Sequence, residues 1–310
     1  MDVLSDVLRV AQLGHAVLAR NELLAPWGLL VGKEVRAAVH VVQRGLCWLR
    51  IGKEEPVRLV QGDVAFLPHG LSHTLADTPD TPPVPFEEGL EHMAARLSQL
   101  PQVPSDAAQE ATTLVCADVQ FDHSVPNPFI DALPNVIHLS ADVAAQDESL
   151  QSALRIMFRE TQKQRNGTEF VVPPLFDVLL VLVVRAWLER QPAATGGWLG
   201  ALRDQKIGKA LVLIHAAPEA PWTVQGLAEK LGLSRATFAR RFAELVGEPP
   251  LAYVTRWRMN RAAQLLRTTT LPIEQVASKV GYESTTAFGN AFRRFLMTTP
   301  SRYRRAPSHG

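Results

Sequence analysis

From Trp222 onward, apolar positions fall into a helical rhythm that is written twice. In TVQGLAEKLGLSRATFARRFAELVGEPPLAY, Thr223 to Tyr253, Leu227, Ala228 and Leu231 line one short segment. Phe238, Phe242 and Leu245 follow at i, i+4 and i+7, the spacing of one buried helix face. In IEQVASKVGYESTTAFGNAFRRFLMTTPSRY, Ile273 to Tyr303, Val276, Ala277 and Val280 precede Phe288, Phe292 and Phe295 in the same order. Phe238, Phe242, Pro250 and Tyr253 recur fifty positions on as Phe288, Phe292, Pro300 and Tyr303. Ala228 and Gly232 recur forty-nine positions on as Ala277 and Gly281. The extra residue falls in the second turn, Tyr282-Glu283-Ser284 against Leu233-Ser234, where a loop absorbs it without moving its flanking helices.

Punctuation delimits each copy as a helix-turn-helix. Thr223 suits an N-cap, Gly232 a turn with a left-handed residue, and Ser234 the cap of the next helix. With the phenylalanines inward, Arg235, Ala236, Ala239 and Arg240 face out in the first copy. Thr285, Thr286, Gly289 and Asn290 do so in the second. Between the copies, Leu251 to Thr268 holds no glycine or proline, and Val254, Trp257, Arg261 and Leu265 make a stripe with Ala262 beside it. The spacing predicts one helix of about 18 residues, roughly 27 Å long. Two readers on such a rod can reach successive major-groove faces of one duplex, about 34 Å apart.

The first half has another period. Residues from about Leu29 to Thr74 alternate as short strands punctuated by Gly45, Gly52, Gly62 and Gly70, which predicts a small barrel or sandwich. From Asp77 to Ala111 six prolines and scattered acids predict a loop, disordered rather than a lid, with one short helix in GLEHMAARLSQL. Strands return around Ala111 to Phe121 and Asn135 to Leu139. Two helices follow. One, Asp147 to Arg165, carries Leu150, Leu154 and Met157 on a single face. The other begins at Pro173 and is apolar nearly all round, so it is covered on several sides, by a neighbour and by a second copy of the chain. TGGW, Thr195 to Trp198, reads as a hinge.

Charge separates the halves. Residues 205–310 hold 16 Lys and Arg against 6 Asp and Glu, net +10, whereas residues 1–204 hold 16 against 25, net −9. A basic, duplicated helical region points to nucleic acid as partner. At 310 residues the chain has room for two ordinary cores. The acidic start excludes a signal peptide reading, and the most apolar stretch, Leu175 to Leu188, is too short to span a membrane and holds Asp177 and Arg185. Two irregularly placed cysteines, Cys47 and Cys116, suit a reducing cytoplasm.

The motifs SRATFARRFAELVGEPP, WRMNRAAQLLR, VASKVGYESTTAFGNAFRRF and TTPSRYRR make residues 205–305 resemble the AraC/XylS family of bacterial transcription regulators. That resemblance implies seven helices, with those after Ser234 and Ser284 entering the major groove. It assigns base reading to Arg235, Ala236, Ala239 and Arg240, and to Thr285, Thr286 and Asn290. Arginine suits guanine and asparagine suits adenine. Ser234, Arg258, Ser301, Arg302 and Arg304 take phosphate-positioning roles. It also implies promoter DNA and RNA polymerase as partners, and a homodimer. Two positions depart: the family usually has arginine where Asn290 stands and glycine where Met297 stands, as Gly247 still does in the first copy. The first reader is therefore expected to dominate specificity.

Gly62-Asp63, Leu67-Pro68-His69-Gly70 and His73 are similar to the second half of the cupin signature, with HVVQRGLCWLRI as the preceding strand pair. A cupin of this kind accompanies the DNA-binding region in one AraC subgroup. The reading is thus α+β: an N-terminal cupin-like β-barrel over residues 1–145, with its insertion at 77–111, and a helical dimerisation or linker region over 146–200. A C-terminal all-α double helix-turn-helix domain occupies 205–306. The cupin is expected to sense a small molecule or a chemical stress. His40, His73 and Cys116 could offer zinc or copper a ligand set, but the His-x-His pair of metal-dependent cupins is absent. The balance favours hydrogen-bonded interior histidines and a buried thiol. Redox sensing through Cys47 and Cys116 is a weaker alternative. A metal-dependent cupin enzyme, an oxygenase or isomerase with an attached nucleic-acid-binding domain, is the other class, and it needs a complete ligand set.

Overall fold

A computed structural model describes residues 3–11, 17–32, 37–99, 111–118, 128–162, 166–192 and 197–305. In chain order, α1 (Val3–Ala11) precedes β1 (Val17–Leu23), β2 (Gly28–Val31), β3 (Ala38–Arg44), β4 (Leu46–Ile51) and β5 (Val57–Val60). Next come β6 (Val64–Leu67), β7 (His73–Ala76), β8 (Val84–Pro85), α2 (Phe86–Gln99), β9 (Thr112–Asp118), α3 (Pro128–Asp131) and β10 (Ile137–Leu139). Then follow α4 (Ala141–Gln146), α5 (Glu148–Gln162), α6 (Thr168–Arg190), α7 (Gly197–Arg203), α8 (Gln205–Ala216) and α9 (Val224–Leu231). The last are α10 (Arg235–Val246), α11 (Pro250–Thr268), α12 (Ile273–Lys279), α13 (Thr285–Leu296) and α14 (Pro300–Arg305).

The chain divides into two compact units, and the division cuts across the three-part reading of the sequence. One holds the described residues of Gly14–Phe121 and Leu133–Gln191, so α5 and α6 belong with the strands rather than to a separate linker. The other holds those of Met1–Leu13, Asp122–Ala132 and Pro192–Gly310, so α1 belongs with the C-terminal repeat helices. Of the expected hinge, Thr195 and Gly196 lie outside the described residues, while Trp198 is buried in α7.

The sheet-rich unit is built on two five-stranded sheets, ordered β1-β9-β3-β6-β10 and β5-β4-β7-β2-β8. Every pairing is antiparallel except β2 with β8. Alternate residues of both sheets meet in one core, Leu23, Val42, Leu67 and Leu114 from the first against Leu29, Leu49, Leu59 and Leu75 from the second. The strands thus form two sheets packed on each other, and among the described residues no ladder closes them into a continuous barrel.

The insertion holds the short helix expected in GLEHMAARLSQL, starting three residues earlier, and a strand where loop was expected. Its first part forms β8 and the 14-residue helix α2, while residues 100–110 lie outside the described ones. Burial explains the order: Met93 sits in the core and accepts a hydrogen bond at Sδ from the Leu24 amide, 3.3 Å. Arg96 donates to the carbonyls of Leu24, Ala25 and Pro26.

Helix α6 also runs longer than its proline pair suggested. It starts at Thr168, and Pro173 and Pro174 lie inside its second turn. At 23 residues it is long and apolar enough to cross a membrane by length and composition, so the expectation that no stretch is long enough is corrected. It packs against α5, β10 and β1, burying Val172, Phe176, Leu179, Leu180 and Val183.

In the all-helical unit, α11 serves two cores. Phe238, Phe242 and Tyr253 stack edge to face at 5.5 and 5.6 Å; fifty residues on, Phe288, Phe292 and Tyr303 stack at 5.6 and 5.5 Å. Tyr253, Val254 and Trp257 are buried along the first half of α11, and Met259, Ala262, Ala263 and Leu266 join the second core. The expected single stripe is therefore too narrow. Arg261 and Leu265 are only half-buried, because a helix with a core on two sides buries more than one face. In α10, likewise, Val246 rather than Leu245 completes the buried stripe.

Candidate nucleic-acid interface and sheet interior

The two reading helices are started by the same chemistry. Thr223 accepts from the Gly226 amide at 2.9 Å to begin α9, and Gly232 ends that helix at φ 64°, a conformation that costs a residue with a Cβ about 1–2 kcal/mol. Ser234 then accepts from the Thr237 amide at 3.2 Å, and Ser284 from the Ala287 amide at 3.3 Å. Each such cap is worth about 1 kcal/mol. The caps fix the first turn of α10 and α13, and the buried phenylalanines fix the rotation. Arg235, Ala236 and Arg240 are left exposed with Ala239 half-buried, and Thr285, Thr286 and Asn290 are exposed on the second helix. Arg240 faces Glu244 at 3.6 Å, both mostly in solvent, a pair worth at most about 1 kcal/mol and easily given up.

The supporting polar residues divide. Ser301 and Arg302 are exposed at the start of α14. Arg258 and Arg304 turn inward. Arg258 donates to the carbonyls of Pro218 and Ala220 at 2.7 and 2.8 Å and lies over the Tyr282 ring, 5.8 Å from its centroid. Any Cβ on Gly281 would stand 2.7 Å from that guanidinium, so the glycine gives Arg258 its room. Arg304 donates to Leu271 O at 2.5 Å. Both guanidinium groups bind carbonyls of their own unit, unlike Ser301 and Arg302, which were read with them as phosphate-positioning groups. Arg293 and Arg294, exposed in the last turn of α13, are cations that the repeat did not single out; their place off the buried phenylalanine stripe was the available signal.

The interior of the sheet-rich unit brings together the three residues read as a candidate ligand set. His40 on β3 lies opposite Cys116 on β9, and β7 of the other sheet carries His73. His40 Nδ1 is 3.2 Å from Cys116 Sγ, and His40 Nε2 is 2.7 Å from His73 Nε2. His73 Nδ1 is 2.8 Å from Leu71 O. A carbonyl only accepts, so His73 Nδ1 carries the proton. His73 Nε2 then accepts from His40 Nε2–H, and His40 Nδ1 accepts from the Cys116 thiol. Every group in this chain is neutral. Burial, and for His40 also the nearby His73, holds the His40 pKa well below the ordinary value, and burial lowers that of His73. Burial likewise pushes the Cys116 thiol up to about 12 and raises Cys47 further, which opposes the thiolate that oxidation needs.

This geometry does not fit a shared metal ion. His40 turns its two nitrogens to opposite neighbours, so no one point lies within bonding reach of all three side chains. Two nitrogens on one tetrahedral zinc stand about 3.3 Å apart, farther than the hydrogen-bonded pair seen here. Among the described residues no group of three or more His, Cys, Asp or Glu is arranged to hold an ion. His40 and Cys116 instead line a cavity of about 280 Å³ with Ala19, Val31 and Ala38, and α2 contributes Phe86 and Glu87 to its wall.

Comparison with known proteins agrees with both units. Residues 2–189 match the cupin family, and residues 227–306 match the helix-turn-helix domain family. A putative AraC-like transcription regulator of Streptomyces lividans is 33% identical over 316 residues, covering 99% of each chain. The chain belongs to the AraC-like transcription regulators. Another relative of this AraC-like protein is the HTH-type transcriptional regulator AlkR of Acinetobacter baylyi, 28% identical over 98% of this chain and 99% of that one. Among solved structures, the DNA-binding domain of AdpA in complex with a target DNA is 30% identical, covers 34% of this chain and all of that chain, and has a TM-score of 0.33. The regulator is thus a helix-turn-helix DNA-binding protein, with a sheet-rich cupin unit and a helical reading unit.

Proposed function

We propose that this regulator reads two adjacent major-groove segments on one face of promoter DNA, α10 in one and α13 in the next. Arg235, Ala236, Ala239 and Arg240 face the first, Thr285, Thr286 and Asn290 the second, with Ser234, Ser301 and Arg302 positioning phosphates. The observation that carries this is the matched pair of capped, outward-facing helices at the two ends of one 19-residue helix, about 28 Å long. Footprinting on a bound promoter tests it: two protected segments about one helical turn apart on one face are expected. Protection of a single half-turn would overturn the reading. Affinity should fall steeply with salt, since a basic unit of this charge releases counterions on binding.

The cupin cavity is the proposed effector site, and the histidine–thiol chain is part of its wall without a metal. Effector binding acts on DNA binding only if the effector distinguishes two states of the protein. A cupin-enzyme reading has less support, because His40 has both ring nitrogens engaged and the relatives are transcription regulators. The working setting is the bacterial cytoplasm, with RNA polymerase as the further partner. The chain acts as a homodimer through α6. Val171, Pro174, Val178, Val181, Arg185 and Leu188 recur there at steps of three and four along the face left open by the sensor core, with Val171 and Val178 exposed by 42% and 51%.

A further inference from the structure

Each helix-turn-helix copy packs on itself: α9 on α10 in the first, α12 on α13 and α13 on α14 in the second. Helix α11 touches both sets, and its two halves enter the two cores. A rod by itself fixes how far apart the copies stand; their mutual rotation depends on what else joins them.

Arg258, near the middle of α11, supplies such a join. Its guanidinium donates from Nε to Pro218 O at 2.7 Å and from Nη2 to Ala220 O at 2.8 Å, both in the loop that leads into α9. The same group lies 5.8 Å from the ring centroid of Tyr282, in the turn between α12 and α13. One side chain thus holds the entry of the first reader and the turn of the second. The two backbones also meet there. Any Cβ on Gly281 would stand 2.9 Å from Glu219 Cα, so the glycine lets the second turn close onto the loop of the first copy. The repeat is broken at this same point, because the residue extra to the second turn falls within Tyr282-Glu283-Ser284. The first turn is braced differently, by Lys206 Nζ of the preceding helix donating to Leu231 O at 2.6 Å. Arginine suits the place of Arg258, since its planar fork presents donors in fixed directions while its face lies over a ring.

We infer that Arg258 is a positioning residue that locks the two readers in one mutual orientation and so makes the regulator selective for the spacing between its two DNA segments. The inference rests on the two-segment reading above. One base pair added between the segments shifts the second by about 3.4 Å and turns it by about 35°. A locked pair cannot follow that change. A pair on a looser link meets both segments over a range of spacings, at a lower effective concentration.

The test takes a promoter on which the full chain protects two segments and moves them apart or together by one base pair. The parent should lose about tenfold or more in affinity on either shifted promoter. Arg258→Met, which keeps the stem and removes the donors, should shrink that penalty to about threefold or less, with Arg258→Lys in between. A change that only weakens the fold lowers affinity for all three promoters alike; Val276→Ala in the second core is that control. Tyr282→Leu, which removes the ring and stays apolar, should move the ratio in the same direction and carries the test if Arg258→Met does not fold. Spin labels at Gln225→Cys and Gln275→Cys, one exposed position in each copy, read the lock without DNA. They should give one narrow distance in the parent and a broader one in Arg258→Met. A parent indifferent to the shift or broad in label distance would overturn the lock, as would a ratio and distance unchanged in both Arg258→Met and Tyr282→Leu. A single protected segment would instead refute the two-segment reading, and the label distances would then decide alone whether Arg258 holds the copies together.

Discussion

Arg240 and Asn290 hold equivalent outward positions, fifty residues apart, on helices that are capped and rotated alike. Arginine can place a charged, two-pronged donor on guanine, whereas asparagine offers a neutral amide. Arg240→Ala should therefore cost more promoter affinity than Asn290→Ala, by roughly 1–3 kcal/mol in competition binding. Equal losses would contradict a dominant first reader. Buried histidines set a second expectation at this scale. His40, His73 and His215 all have pKa values lowered chiefly by burial, so the folded protein resists protons that the unfolded chain takes up near pH 6.5. Their contribution is present above that value and is lost as pH falls below it, by up to about 1.4 kcal/mol per pH unit for each histidine. Thermal unfolding should move to lower temperature between about pH 7.5 and about pH 5, and less so in His40→Leu/His73→Leu. An unchanged midpoint in the parent chain would show that these rings protonate in place.

Among elements, the two reader helices end differently. Gly247 closes α10 at φ 85°, and Met297 closes α13 at φ 55° with 86% of its surface exposed. A side chain in the left-handed region costs about 1 kcal/mol, and no burial of Met297 offsets it. Met297→Gly should raise the urea midpoint, a gain of about 0.5–1 kcal/mol, and Gly247→Met should lower it by a similar amount. If Met297→Gly lowers the midpoint, the methionine makes a contact that outweighs the strain. Both the turn at 297 and its cost were legible in the repeat, since the partner position holds glycine. Helices α2 and α6 were less legible. The short helix in GLEHMAARLSQL was legible but its start at Phe86 and the strand β8 before it were not, and Pro173 predicted a late start for α6; burial of Met93 and of Val172 outweighs those local preferences.

For the whole molecule, the open α6 face is where self-association is expected. Val178→Asp places a charge in the middle of that face without touching the core residues of the helix. Sedimentation should show a dimer for the parent chain and a monomer for the variant at about 10 µM. A monomeric parent, or a variant that still dimerises, would remove α6 as the interface. The substitution isolates the seam because α6 buries Phe176, Leu179, Leu180 and Val183 on its opposite side.

What the chain alone determined was everything carried by short-range pattern: two capped helix pairs in repeat, the helix between them, the glycine-punctuated strands, and the split of charge. These follow from neighbours a few residues apart, where periodicity and cap chemistry act directly. Tertiary structure decided what depends on partners far along the chain. It set His40 between Cys116 and His73 in a neutral hydrogen-bonded line, drew Arg258 and Arg304 inward to backbone carbonyls, and placed α1 with the DNA-binding helices. An arginine reads the same in sequence whether its guanidinium meets water, a phosphate or a carbonyl. Only packing fixes which groups are left without solvent and must pair with each other.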